Sequence, residues 1–407
     1  MQHRIVVLGA GYTGAIAAGR LARRLRPEDV TITLVNPEPD FVERVRLHQL
    51  AAGQDLKARP FRAMFAGTGV RLKLAGVTAV DVERKAVTVA AADGPEPGAE
   101  EVLEYDTLVY ALGSGWNDGG VPGATEHAHE LSSRAGALRL RDRLAALADG
   151  RSVVVVGGGL TGVEAVTEIA EAHPRLDVSL AVRGTLGDWL SEKGRAHLRK
   201  VTGRLGITVH EHAAVDSVGY NHVTTADGRS LPADVTVWTT GFATHGLARS
   251  TALELADDGR IVVDGTMRSV SHPDVYAVGD AARALGAEDK PLRMSCASGV
   301  PMAWQAADAI AARLTGVKVP EVPLRYFNQC VSLGRGEGLI QFVTADDRSV
   351  DRALTGRLAA FYKEVVCKGA AWGVANPTMG LPARRRPVVT AGARTAPGPV
   401  PADAPTV

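Results

Sequence analysis

The chain of 407 residues holds only three cysteines, Cys296, Cys330 and Cys367, odd in number and far apart along the sequence. That excludes a disulfide framework and fits a reducing, cytoplasmic setting. Excess charge is also missing: 46 Lys and Arg stand against 45 Asp and Glu, a net charge of +1. A protein that grips polyanions through a basic face needs more, so no nucleic-acid partner is expected. No apolar run approaches the ~18 residues that a membrane-spanning helix requires. Met1 is followed almost at once by a strand-like stretch, without a charged leader and apolar segment, so no secretory signal is expected. Among eleven histidines the only close pairs are His127 with His129 and His210 with His212, each without a third ligand, so no metal site is expected. The absence of a GxSxG elbow argues against Ser-His-Asp hydrolysis.

What is present is an ordinary globular balance, 45% apolar and 22% charged, over a length that implies several domains. The 45 glycines hint at loops pressed against ligands. Two segments resemble each other. HRIVVLGAGYTGAIAAGRLARRL (3–25) is followed by VTITLVN, and SVVVVGGGLTGVEAVTEIAEAH (152–173) is followed by DVSLAVR. Each reads as a buried β-branched strand, a glycine turn, an amphipathic helix and a second buried strand, which is a βαβ unit with a parallel sheet. Gly9, Gly11 and Gly14 of the first, and Gly157, Gly159 and Gly162 of the second, fit GxGxxG. The first glycine turns the chain, the second admits a pyrophosphate, and the third lets helix and strand pack closely, with the helix N-terminus toward the anion. Two such turns predict two dinucleotide-binding folds. The second strand of such a unit usually ends in an acid that holds ribose hydroxyls. Asn36 and Arg183 stand there instead. Asn36 can still bond a ribose, and Arg183 is either a partner for the 2′-phosphate of NADPH or a solvated surface side chain.

Further along, 87–110 reads as a hairpin with a Gly/Pro-rich tip, and strands run into glycine turns at Gly113 and Gly241. Ser132 or Ser133 is a candidate cap for a helix over 135–147. Residues 271–282 form a short strand ending in Gly279-Asp280. Helices are expected over 302–314, started by Pro301, and over 354–374, with two strands around a glycine turn between them. The Pro/Ala-rich residues 384–407 are expected to be a disordered tail.

The ordered set GAGYTG, YALGS, GVPGATEH, GGGLTGVE, WTTGF and VYAVGDAA, spread over roughly residues 3–375, resembles the flavoproteins with two dinucleotide folds. It is most similar to type II NADH dehydrogenases, single-chain NAD(P)H:quinone oxidoreductases. The resemblance implies an α/β chain with two Rossmann-like domains, for FAD and NAD(P)H, and a small C-terminal α+β domain. The boundaries would be 1–114 and 244–316 for FAD, 115–243 for NAD(P)H, and 317–383 for the C-terminal domain. FAD would be held by Gly9, Gly11, Tyr12, Thr13, Gly14, Asn36, Gly113, Gly279, Asp280 and Ala303, with Asp280 on the flavin ribityl or phosphate region. NAD(P)H would be held by Gly157, Gly159, Gly162, Arg183 and Gly241.

Hydride would pass from the nicotinamide to the flavin, and electrons from the flavin to a quinone or aromatic acceptor. The resemblance puts Glu164 beside the flavin, for nicotinamide contact or proton delivery, while Glu168 one turn on reads as a helix surface charge. Val300 to Gln305 matches the family's acceptor helix: Ala303 and Gln305 keep its pattern, Pro301 departs from it, and Trp304 lines an acceptor slot or belongs to the core. Gln305 joins Glu164 as a candidate catalytic residue. No CxxxxC pair lies in 37–60, which excludes dithiol exchange there, and Cys296 reads as a small buried hydrophobe. Leu354, Leu358, Phe361, Tyr362, Val365, Val366 and Trp372 recur at near-helical spacing with Arg357, Lys363 and Lys368 between them. This is an interfacial helix at the inner face of a membrane, a helix packed on the FAD domain, or a homodimer face. Two other functions stay open: a soluble flavoenzyme acting on a small aromatic or quinoid metabolite, and a redox-sensing FAD protein of the apoptosis-inducing-factor type.

Overall fold

Val153 to Val156 and Ile5 to Leu8 are almost completely shielded from solvent. Strands buried on both faces belong to a parallel sheet covered by helices, so they read as unbroken aliphatic runs rather than alternating ones. The computed structural model describes residues 2–92, 98–320 and 322–389. Its first sheet has seven strands in the order Val275–Ala277, Thr107–Tyr110, His3–Leu8, Val30–Asn36, Val70–Asp81, Ala86–Ala91 and Glu100–Glu104. The first five run parallel, with Ile5 opposite Ile32 and Val7 opposite Val109, and the last two close an antiparallel ribbon. The second sheet is parallel throughout: Thr208–His210, Asp177–Ala181, Ser152–Val156, Val235–Trp238 and Ala128–Glu130.

The chain leaves the first sheet through Ser114–Trp116 and returns through Phe242–Thr244, and these two strands pair antiparallel. It then adds Val275–Ala277 to the edge of the first sheet, so that sheet is assembled from two separated parts of the sequence. A three-stranded antiparallel sheet follows, Asn328–Ser332, Gly338–Val343 and Ser349–Thr355, covered by the Arg357–Ala375 helix, which also packs on the Tyr12–Arg24 helix. The α/β class with two Rossmann-like units and a C-terminal α+β unit is therefore as expected.

Several local expectations are corrected. The helix after the second glycine-aspartate turn runs Cys296–Thr315, capped by the Ser295 hydroxyl, and Pro301 lies inside it rather than at its start. Small residues let this helix begin early: a Cβ on Gly299 would sit 2.8 Å from Thr13 Cγ2, so only glycine allows the contact. Leu354 belongs to the Ser349–Thr355 strand, whose exposed Ser349, Asp351 and Arg352 hide the alternation. Ser133, not Ser132, caps the helix Arg134–Ala145, accepting from Gly136 N at 2.9 Å. Residues 384–389 are not a free tail. Arg386 N donates to Arg24 O at 2.9 Å, Val388 N to the Asp29 carboxylate at 3.0 Å and Val389 N to Leu314 O at 2.9 Å. A segment without apolar periodicity is held here by backbone groups that composition does not reveal. Residues 390–407, and the hairpin tip 93–97, lie outside the described residues.

Candidate active site

The two glycine turns divide their glycines by purpose. A Cβ on Gly9 would lie 2.5 Å from Ala111 O, and one on Gly14 only 1.9 Å from Gly9 O. In the second turn a Cβ on Gly157 would lie 2.6 Å from Thr239 Oγ1, and one on Gly162 1.9 Å from Gly157 O. These four glycines are required by the fold itself. At Gly11 and Gly159 a Cβ would meet nothing within 4 Å. Each opens toward solvent at the start of a helix, Tyr12–Arg24 or Leu160–Ala172, that has neither a side-chain cap nor an acid in its first turn. Unsatisfied N–H groups, a positive helix end and an open glycine form a cradle for a phosphate-bearing ligand, so both turns fit a dinucleotide. Gly11→Val is expected to leave the fold intact and strip the flavin, whereas Gly14→Ala destabilises the turn. Flavin absorbance per chain and a denaturation curve on each purified variant separate the two outcomes.

Gly279 and the Cys296 helix converge on the first turn. A Cβ on Gly279 would sit 2.9 Å from Thr13 Oγ1, and Asp280 beside it accepts a hydrogen bond from Ser114 Oγ at 2.6 Å. Gly113 (φ 71°) places the Arg44 guanidinium 3.6 Å from where its Cβ would stand. Tyr12 is buried and packs edge-on to Phe41, with ring centroids 4.8 Å apart. Asn36 uses both ends of its amide on nearby backbone groups. Its Oδ1 accepts from Ala10 N at 3.0 Å and its Nδ2 donates to Glu38 O at 2.8 Å, so the amide braces the glycine turn from behind. In the second unit Gly241 (φ 90°) faces the Asn117 amide at 3.9 Å, and Arg183 is exposed, with no ion pair among the described residues.

Glu164 stands at the centre of a buried polar cluster. Its Oε1 accepts from Ser332 N at 2.9 Å and pairs with Lys363 Nζ at 2.9 Å, and His48 Nδ1 lies 3.9 Å from Oε2. The cluster draws on four elements: the Leu160 helix, the Leu47–Ala51 helix, the Asn328 strand and the Arg357 helix. Burial alone would lower the Lys363 ammonium, but the Glu164 carboxylate more than offsets it and holds the charge firmly on. Burial pushes the His48 imidazole down to about 4 against the pull of Glu164, so His48 is neutral at pH 7. Lys363 also donates to Cys330 O at 3.0 Å. The three thiols are poor nucleophiles: burial raises Cys296 to about 12 and Cys330 to about 11, and raises Cys367 as well.

Glu168 is not a surface charge. It is 1% exposed, the Gln54 amide donates to one oxygen, and its Oε2 has no partner among the described residues. Burial, with Glu171 and Glu164 nearby, pushes its carboxyl up to about 7 despite Arg335 and Gln54. A carboxyl raised in the folded state adds stability below its unfolded value and loses it as pH rises through the folded one. Between pH 4.5 and 8 the protein should lose up to about 3 kcal/mol from this group, and Glu168→Gln should flatten that slope. Urea midpoints across that range measure it.

Gln305 is spent elsewhere. It is buried, and its Nε2 donates to Pro320 O at 2.5 Å, so it ties down the chain leaving the helix. Trp304 packs on the first core with Arg20 stacked 5.9 Å from its ring, and Ala303 is fully buried. His48, Ser332 and Lys363 were not foreseen. Lys363 had a visible sign: it interrupts the inner row Ala359, Cys367, Ala371 of its helix, a lone cation among small buried residues. Among the described residues no group of three His, Cys, Asp or Glu is placed to hold a metal.

A family model described as pyridine nucleotide-disulphide oxidoreductase matches residues 3–311. The chain belongs to that family. Within it, an NADH dehydrogenase-like protein of Mycobacterium tuberculosis is 31% identical over 334 residues, covering 74% of this chain and 78% of its own length. A type II NADH:quinone oxidoreductase of Staphylococcus epidermidis is 26% identical, covering 90% and 94%. The structure of NDH2 from Plasmodium falciparum in complex with NADH superposes with a TM-score of 0.75 at 16% identity, over 94% and 99% of the two chains. This pyridine nucleotide-disulphide oxidoreductase is thus an oxidoreductase of the NADH dehydrogenase type, and FAD and a nicotinamide cofactor, expected from the resemblance, fit its two open turns. It lacks the dithiol that gives the family its name, since 37–60 contain no cysteine.

Proposed function

We propose that the protein is a FAD-dependent NAD(P)H oxidoreductase that passes reducing equivalents to a quinone-type acceptor. The observation that carries this is the Glu164 cluster. It buries a carboxylate on the helix that follows the nicotinamide turn, bonded to Lys363 and Ser332 of the C-terminal unit and 3.9 Å from His48 of the unit that carries the flavin turn. In this reading 1–114 and 244–316 hold FAD, 115–243 hold NAD(P)H, and 317–383 close the site. When bound, FAD supplies two-electron storage, loaded by hydride from the nicotinamide and unloaded to the acceptor. The chain's own work is to orient and to shield. Gly11 and the Tyr12 helix receive one pyrophosphate, Gly159 and the Leu160 helix the other, and Asp280, fixed by Ser114, offers its second oxygen to the ribityl region. Glu164 holds negative charge at a fixed place, and Lys363 balances it without water.

Anaerobic mixing with NADH or NADPH, followed by a panel of quinones watched at the flavin absorbance, tests the proposal. A flavin that neither nucleotide reduces, or that no quinone reoxidises faster than oxygen does, sinks it. Arg183 is the residue through which NADPH would be preferred, because a charge-assisted bond to phosphate contributes roughly 1.5–3 kcal/mol. Arg183→Glu should shift the kcat/KM ratio toward NADH by at least about tenfold, ~1.4 kcal/mol. An unchanged ratio makes Arg183 a solvated side chain.

The outer face of the Arg357 helix supports a peripheral membrane contact. Leu358, Phe361 and Val365 are 70%, 69% and 50% exposed, and Trp372 46%, while no helix of the described residues is long and apolar enough to cross a bilayer. Lys363, counted with the flanking cations in the sequence, is on the buried face instead. A homodimer through the same face is the other reading, and the mass of the protein in detergent-free buffer separates them.

A further inference from the structure

Between the Arg357 helix, the glycine loop 334–336 and the Leu47 helix lies a cleft of about 270 Å³. Arg335 and Arg357 stand at its rim, Phe361 on its wall, and Lys363 and Cys367 at its floor. The other charges of the lining are paired. Glu364 is held by Arg46 at 3.0 Å and Lys368 at 3.3 Å, and Lys363 by Glu164 at 2.9 Å. The side chains of Arg335 and Arg357 are exposed and have neither an ion pair nor a hydrogen bond among the described residues. The cleft therefore carries two exposed guanidiniums without an ion-pair partner among the described residues, beside Phe361.

Its position separates it from the nucleotide turn. The Arg335 N–H donates to Glu171 at 2.5 Å, and Glu171 sits two and a half turns along the Leu160 helix from Gly162, roughly 13 Å at the α-helical rise. At its inner end the lining residue Lys363 is paired with Glu164 at 2.9 Å, so the cleft borders the Glu164 cluster. Its volume is at the small end of ligand sites and suits one or two rings rather than a long polyprenyl tail.

We infer that this cleft admits the electron acceptor and that the acceptor is a small anionic quinone, its carboxylate or sulfonate held by Arg335 and Arg357. The inference rests on the oxidoreductase reading above and adds the substrate class to it. Planar, doubly donating guanidiniums match an anionic oxygen pair, and a neutral lipid quinone would leave both unanswered. The overall step balances. The nicotinamide C–H bond breaks and two electrons and one proton leave as hydride. The quinone gains two electrons and two O–H bonds, and the second proton comes from water.

The test uses the holoenzyme with 1,4-naphthoquinone and its 2-sulfonate as a matched pair, in the parent and in the Arg335→Gln/Arg357→Gln double variant. Calorimetric binding of the sulfonate to oxidised protein without nucleotide is measured alongside. The ratio of kcat/KM, sulfonate to neutral, should fall by at least about tenfold in the double variant, and sulfonate affinity should fall as much. Because both proteins meet the same two acceptors, the difference in their redox potentials cancels. An unchanged ratio with unchanged binding overturns the anionic assignment while leaving the quinone reading in place. Failure of both quinones to reoxidise a flavin that NADH reduces defeats the quinone reading itself.

Discussion

Lys363→Met lowers the stability of the folded chain by about 3–5 kcal/mol, read as a shift of the denaturant midpoint. The change removes the only cation bonded to Glu164 among the described residues and leaves that carboxylate 5% exposed. Its remaining partners are one N–H, from Ser332 at 2.9 Å, and the His48 ring at 3.9 Å, which burial keeps neutral. Methionine fills much of the space left by the lysine stem, so little of the loss is a cavity effect. One further measurement distinguishes a stranded charge from a general packing fault. Adding Glu164→Gln to Lys363→Met should recover most of the loss, since two neutral side chains need no counter-charge. Destabilisation that is additive with Glu164→Gln would mean that the ion pair is not what Lys363 contributes.

The parts of the site that were readable from sequence are those whose physics is local. A glycine turn declares itself within six residues, because a Cβ at Gly14 collides with the carbonyl of Gly9 in the same turn. Aliphatic runs such as Val153 to Val156 announce a doubly covered parallel strand for the same reason. The missed features depend on chain segments that meet only in the fold. Lys363 and Glu164 belong to helices separated by most of the second half of the sequence, and nothing near either residue names the other. Gln305 shows the opposite failure: a pattern match supplied its position, but the direction of its side chain was decided by Pro320, past the helix end. Asn36 stands at the expected strand end, and its bond to the backbone of the glycine turn was not legible in the sequence, because it forms across chain segments 26 residues apart. Glu168, at helical spacing from Glu164, shared its buried face, but burial of a carboxylate without a cation runs against composition-based expectation.

Glu164→Gln should slow one of the two half-reactions by ten- to a thousandfold, the range expected for losing one positioned acid–base group, while flavin content stays near one per chain. The glutamine amide oxygen can still accept from Ser332 N and from Lys363, which now hold a neutral group at the 2.9 Å contacts. The variant should therefore be more stable than Lys363→Met, and its defect chemical rather than structural. Rapid mixing separates reduction by nicotinamide from reoxidation by quinone, so the slow step is assignable. If reduction slows, Glu164 positions the nicotinamide through its charge, which glutamine lacks. If reoxidation slows, the carboxylate serves proton delivery to the acceptor. Glu168, one turn on and raised to about 7, is the neighbour through which such a proton would be replaced, so Glu168→Gln should reproduce part of the second defect and none of the first. Should Glu164→Gln leave both half-reactions within twofold of the parent, the cluster with Lys363 holds the C-terminal helix in place and takes no part in the chemistry.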